Sequence, residues 1–152
     1  MNFWHYAAKL KAAGMRPLLE MADMLKVLGV ERDIPLIGWV FSTEWAAQNK
    51  ELVQQFLQAS RDAKTLLLES DQEWERLRPN MNADEDAIFM ALRDAFRAGI
   101  PRCFGAEEIA ASAQTFEILA AVGGRELVGD STTLTEGTFW DGFQIEPCPA
   151  AQ

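Results

Sequence analysis

A single strand-like run stands in a chain otherwise patterned for helices. Residues 34–41 read IPLIGWVF. Ile37, Val40 and Phe41 favour strands, and Gly38 lets another backbone or a ligand come close. Ser42 follows as a good N-cap, so the pattern predicts a strand over Leu36–Phe41 that runs directly into a helix. A core strand and an ordinary capped helix account for this. In open α/β sheets, however, a strand end that meets a helix N-terminus is also where ligands bind. A strand this apolar needs neighbours on both edges to satisfy its backbone groups. The rest of the chain offers few, so its partner strands are expected from another chain or from a preceding segment.

The remaining sequence is read from its stops and caps. Asn2 can cap a helix over residues 3–13, with Phe3, Tyr6, Ala7 and Leu10 on one face and Gly14 as its end. Residues 15–19 surround Pro17 and suit an edge strand or an extended link. A second helix is expected up to Leu28, with Met21, Leu25 and Leu28 apolar and Gly29 as terminator. After Ser42 come helices over 43–48 and, beyond Asn49, over 50–68, the latter with a stripe of Leu52, Val53, Phe56, Leu57 and Ala63. Ser70–Glu73 forms a capping box for a helix closed by Pro79, and Asn82–Glu85 forms a weaker one. The latter opens a helix over 83–98 with Ile88, Phe89, Leu92 and Phe96 inward and Gly99 as the stop. Gly105 precedes a helix over 106–122 closed by Gly123 and Gly124, and the end of the chain, with Gly137-Thr138-Phe139-Trp140, is rich in turns.

Charge and residue supply exclude several functions. The net charge is −9, and beyond Cys103 the acidic residues outnumber Arg125, the one basic residue there. Such a surface repels phosphate backbones and anionic membranes, so no nucleic-acid partner is expected. His5 is the sole histidine, which excludes histidine-rich metal sites, and no cofactor is implied. No serine, cysteine or histidine constellation points to catalysis. Cys103 and Cys148 could pair only if the tail folds back. The sequence leaves that open, and two unpaired small apolar residues are the expectation. No apolar run reaches membrane-spanning length, and Met1–Tyr6 lacks the basic start and apolar stretch of a signal peptide. Taken literally, the chain is cytoplasmic.

Several segments carry a family resemblance: FWHYAAKL at 3–10, PLIGWVFSTEWAA at 35–47, EWERLRP at 73–79, AGIPR at 98–102 and GTFW at 137–140. In order and spacing they resemble the later part of ABC-transporter substrate-binding proteins, in the branch that includes alkanesulfonate, taurine and thiamine-precursor binders. The resemblance implies a helix-rich α/β chain, a partial type II periplasmic-binding-protein-like fold with few strands. Residues 1–42 would be the end of the second lobe and the strand returning through the hinge, and 43–152 the C-terminal helices and tail. Met1 would then be an internal start. The implied function is solute binding in a cleft between lobes, with a small anionic or heteroaromatic ligand. An ABC permease is implied as partner through the full-length protein, and the periplasm as compartment.

Carried onto this sequence, the resemblance makes Trp39, Ser42, Phe3, Trp4 and His5 the candidate ligand-binding residues. An indole can stack on a planar solute, and a hydroxyl can bind an anionic group. Core packing for Trp39, capping for Ser42 and packing within a lobe for Phe3 and Trp4 explain the same residues structurally. His5 could hydrogen-bond a ligand, although a lone histidine also serves structure. Glu44 and Trp45 are expected to be structural. Asp84, Glu85 and Asp86 suit the first turn of a helix, and Glu73, Glu75, Arg76 and Arg78 suit surface ion pairs.

Two alternatives remain beside a binding component. One is a helical interaction protein, a homo-oligomer formed through the unpaired strand. The other is an enzyme like the thiamine-pyrimidine synthases of the same group. Those depend on histidine and a cysteine-rich motif, which this chain lacks, so a non-enzyme is expected.

Overall fold

The structure, a computed structural model, describes residues 3–146. Among these the elements are α1 (Trp4–Ala12), α2 (Met21–Val27), α3 (Thr43–Gln48), α4 (Lys50–Glu69), α5 (Asp71–Leu77), a 3-10 turn (Arg78–Asn80), α6 (Asp86–Ala98) and α7 (Ala106–Val128). The β pairing among the described residues is one isolated antiparallel bridge, Phe104 with Ile145. The described residues are helix-rich and almost without strands.

Local chemistry sets the helix ends. After α1 the Gly14 N–H bonds the Lys11 carbonyl at 2.9 Å and the Met15 N–H bonds the Leu10 carbonyl at 3.0 Å. After α2 the Gly29 N–H reaches Lys26 at 3.0 Å and the Val30 N–H reaches Leu25 at 2.9 Å. Both are Schellman closures, which consume orphan carbonyls of the last turn. Gly29 holds φ at +80°, a conformation that costs a side-chain-bearing residue energy. Val30, just beyond it, is buried. Ser42 and Ser70 cap α3 and α5, each hydroxyl oxygen accepting a backbone N–H at 3.3 Å. The proposed cap Asn2 lies outside the described residues. Phe3 takes the N-cap position of α1 with no side-chain bond.

The described residues divide into two compact units, with the division inside α4. The first comprises residues 3–18 and 55–100. Its core is Ala8, Trp74, Ala83, Phe89 and Leu92, with Leu67, Met81, Ile88 and Phe96 packed around them. The inward residues expected on α6 are therefore the ones found. Small Ala8 lets α1 lie close on α6, and Trp4 meets the Phe96 ring edge-on at 6.0 Å. The face expected to be buried on α1 is wrong: Phe3, Tyr6 and Leu10 are exposed, because packing on α6 selects the Trp4–Ala8 side.

Arg78 explains why the second capping box does not form. Its guanidinium donates to the carbonyls of Ala83 at 3.3 Å and Asp84 at 2.9 Å, and to the Asp86 carboxylate at 2.6 Å. It also lies over the Phe89 ring at 4.7 Å. Residues 83–85 are thereby held outside the helix, and α6 begins at Asp86 rather than Ala83. Asn82 turns the chain with φ +49°, a left-handed conformation that asparagine tolerates.

The second unit comprises residues 19–54 and 101–146. Val30, Ala46, Val53 and Ala111 are buried there, together with Glu108. The Glu108 side chain accepts the Gly105 N–H at 2.9 Å, so a buried polar group is satisfied by opening α7. α7 passes the expected Gly123–Gly124 stop and reaches Val128, but it is broken at Gly124, where φ is +57° and ψ −159°. Of the stripe expected on α4 only Val53 is buried, and Leu52 and Phe56 are exposed. The helix belongs to two units, so no single stripe is buried along its length. The face expected on α2 is likewise not buried.

Two further expectations are corrected. The strand Leu36–Phe41 does not form, and residues 34–42 are irregular backbone. Strands exist by pairing, Pro35 brings no N–H, and no described strand lies beside this run. Of the two readings for residues 15–19, the edge strand does not form and the link between helices remains. Cys103 is disulfide-bonded, not unpaired. The one other cysteine of the sequence, Cys148, lies outside the described residues.

Candidate functional site

In the second unit the candidate residues sit on the irregular segment that enters α3. Pro35 and Gly38 interrupt the strand pattern, and its apolar side chains turn outward: Ile37 is 84% exposed and Val40 98%. Phe41 turns the other way and meets the Trp140 ring edge-on at 5.6 Å and 89°. The next residue, Ser42, accepts the Trp45 N–H, and Ala46 is fully buried one turn further on. The segment is thus anchored at Phe41, Ser42 and Ala46 and open before them. Trp39, 58% exposed, stands in the open part, so core packing does not account for it. Capping uses one lone pair of the Ser42 hydroxyl and leaves its proton available to donate.

In the first unit Phe3, Trp4 and His5 form an aromatic cluster at the start of α1. The Phe3 and His5 rings are stacked 6.0 Å apart at 7°, and Trp4 meets His5 edge-on at 5.7 Å. Tyr6 lies 4.3 Å from His5. Through Trp4 and Phe96 the cluster continues to Trp74, whose ring is 5.3 Å from Phe96. Phe3, Trp4 and Tyr6 present open ring surface, whereas Trp74 is 4% exposed. Trp39 and Ser42 therefore share one segment, and Phe3, Trp4 and His5 share another cluster, each within its own unit.

Sequence reasoning missed a groove in the second unit. It measures about 320 Å³ and is lined by Gly29, Arg32, Glu107, Ala111 and Gln114 among others. The Gln114 amide donates to the Gly29 carbonyl at 3.2 Å, and Arg32 is ion-paired with Glu107. No motif announces it, because Gly29–Arg32 and Glu107–Gln114 are far apart in sequence. Its cation is already balanced by Glu107, which leaves it little attraction for an anionic solute. Among the described residues no cluster of histidine, cysteine and carboxylate side chains could hold a metal ion, and no helix is long and apolar enough to cross a membrane.

Several charged side chains of the first unit are paired with one another. Arg93 has its pKa raised above the ordinary value, chiefly by its hydrogen bond to Asp94, with Asp71 and Glu75 adding to it and desolvation opposing. It bonds Asp94 at 2.8 Å and Asp71 at 3.4 Å, and Arg97 bonds the same Asp71 oxygen at 2.8 Å. The expected pairing of Arg76 with Glu73 is present at 2.9 Å. The two pairs on Asp71 fasten α6 to α5, while Arg76–Glu73 lies within α5 and Arg93–Asp94 within α6.

No family model matches the chain. No curated protein matches it either.

Proposed function

We propose that this chain belongs to the solute-binding component of an ABC importer, in the branch that takes sulfonates, taurine or thiamine precursors. The role is binding rather than catalysis. The ligand is a small anionic or heteroaromatic molecule held between two lobes of a type II periplasmic-binding-protein-like fold. The permease is engaged through the full-length protein.

One observation carries the reading: Trp39 presents its indole three residues before the Ser42 hydroxyl, on a segment that is open on one side and anchored on the other. A flat apolar surface and a hydrogen-bond donor on one short segment suit a planar molecule with an anionic or polar head. The resemblance of residues 35–47 to the cleft-lining part of that family supports the same assignment. The aromatic cluster of Phe3, Trp4 and His5 is a separate candidate surface within the first unit. The disulfide at Cys103 supports an oxidising compartment such as the periplasm.

The test is calorimetric titration of the full-length gene product with taurine, longer alkanesulfonates and aminopyrimidines. A saturable heat that disappears in Trp39→Ala supports the proposal. Absence of binding by the whole panel overturns it. The outward apolar side chains Leu36, Ile37 and Val40 favour a second reading, an interaction protein that pairs through this segment. Sedimentation velocity separates the two, since a dimer indifferent to every solute belongs to the second alone.

A further inference from the structure

α1 turns its larger apolar side chains away from the protein. Ala8 belongs to the core of the first unit and is buried. By helical periodicity Phe3, Tyr6 and Leu10 fall on the opposite side, and all three are exposed. Lys9 follows on one flank of that open face and Lys11 on the other. Trp4 stands at the seam, half exposed, with its ring edge-on to Phe96. Just past the helix Met15 and Leu18 are exposed as well, with Arg16 between them in sequence. Residues 3–19 thus hold Lys9, Lys11 and Arg16 and no acidic residue, in a chain whose net charge is −9. The acidic excess that repels anionic membranes lies mainly beyond Cys103, and this segment has the opposite sign.

We propose that the outer face of α1 docks on the surface of an anionic phospholipid bilayer. That surface accepts both halves of the pattern. Aromatic rings and leucine enter the boundary between headgroups and acyl chains, while lysine heads stay at the phosphates. Tyrosine and tryptophan suit this depth because each has an apolar body and a polar tip. A soluble polyanion could pair with the lysines, but it would leave Phe3, Tyr6 and Leu10 in water. A second copy pairing the same face about a two-fold axis would set a lysine-flanked surface against itself. The helix lies along the membrane, since it is far too short to cross it. Docking is therefore shallow, reversible and sensitive to salt, and each basic residue near the surface strengthens it about fivefold. The reading needs no solute, and it leaves Trp39 and Ser42 outside the membrane contact.

Flotation of the full chain with vesicles at low salt tests the proposal. One set is phosphatidylcholine alone, and the other is phosphatidylcholine mixed with phosphatidylglycerol. Binding to the anionic set is expected to be at least tenfold tighter and to fall as salt is raised. Lys9→Gln with Lys11→Gln should weaken it on the order of twentyfold. Phe3→Ser, Tyr6→Ser and Leu10→Ser together should weaken it at least tenfold while leaving the thermal-unfolding midpoint near that of the parent. Val122→Ser with Leu127→Ser, an exposed apolar pair next to Glu126 in sequence, should bind as the parent does. No binding to the anionic vesicles overturns the proposal. Equal binding to both sets overturns it too, as does an equal loss in the Val122 and Leu127 variant, because general stickiness would then suffice. A chain that ignores both sets and forms a dimer that the Phe3, Tyr6 and Leu10 variant abolishes assigns the face to a second copy and overturns it as well.

Discussion

The indole N–H of Trp74 donates to the carbonyl oxygen of Leu67 over 2.6 Å. Leu67 lies in the last turn of α4, where carbonyls have no partner within the helix. Arg97 donates to the same oxygen at 2.9 Å and stands 6.0 Å from the Trp74 ring. One side chain thus fills the core of the first unit and closes a helix end. Trp74→Phe keeps most of the volume and leaves Arg97 on the carbonyl, so it should cost about 1 kcal/mol. Trp74→Ala should cost about 3–5 kcal/mol through the cavity. Urea unfolding followed by far-UV circular dichroism measures both. Equal losses would mean that the hydrogen bond, not the ring, carries the stability.

Arg78 should prove far more costly to remove than Arg76. Arg78 serves two carbonyls, one carboxylate and the face of Phe89, with its side chain about three-quarters covered. Arg76 pairs with Glu73 at the surface. Arg78→Ala should lose about 1.5–3 kcal/mol, as charged hydrogen bonds to a fixed turn do, and Arg76→Ala under about 0.5 kcal/mol. Lysine at 78 should recover little, because a point charge cannot reach acceptors on both sides of a planar fork. The same unfolding curves decide, and similar losses for the two arginines would contradict this account.

The caps offer a sharper comparison, since two serines accept at the same 3.3 Å. Ser70→Ala should cost about 1 kcal/mol, and Ser42→Ala a similar amount. Aspartate at either position should restore stability, because it accepts the same N–H and its charge suits a helix N-terminus. A Ser42→Asp chain that folds like the parent but repels an anionic solute would separate the cap from the ligand role in one calorimetric titration.

What was legible in the sequence was chemistry that is settled within a few residues. Gly14, Gly29, Ser42 and Ser70 announce helix ends because their partners are three to five positions away. Asn82–Glu85 has the same local signature and fails, because Arg78 reaches forward across the turn and holds the Ala83 and Asp84 carbonyls. Leu36–Phe41 has strand composition but lacks the edges that make a strand, and no local pattern reports on a missing neighbour. The α1 face was misjudged for a similar reason. Phe3, Tyr6 and Leu10 form a proper apolar stripe, yet Ala8 is the residue that fits against α6. The candidate site divides along the same line. The Ser42 cap could be read from its neighbours, whereas the outward turn of Trp39 and the Trp140 ring on Phe41 depend on a tail distant in sequence.

Gly38 and Gly124 should respond in opposite directions to the same substitution. At Gly124, φ +57° with ψ −159° is essentially closed to other residues, so Gly124→Ala should lose about 1–3 kcal/mol. At Gly38 a Cβ would meet nothing within 4 Å, so Gly38→Ala should be neutral or stabilise by up to about 1 kcal/mol through the unfolded chain. Thermal unfolding reads both. If Gly38→Ala also weakens solute binding while stability holds, the bare backbone there admits the ligand. If binding is untouched, the glycine serves only to bend the segment.

Trp39 gives the last and most direct separation of folding from binding. More than half of its surface is open, so truncating it removes little buried area, and Trp39→Ala should change stability by less than about 0.5 kcal/mol. If its indole stacks on a planar solute, the same change should weaken binding at least tenfold, because stacking area cannot be replaced by a methyl group. Trp39→Phe should fall between, since a smaller ring keeps part of the stacking surface. Paired thermal-unfolding and titration measurements place each variant on both scales. A Trp39→Ala chain that is destabilised by 2 kcal/mol or more would assign the side chain to structure, and one that binds as the parent does would remove it from the site.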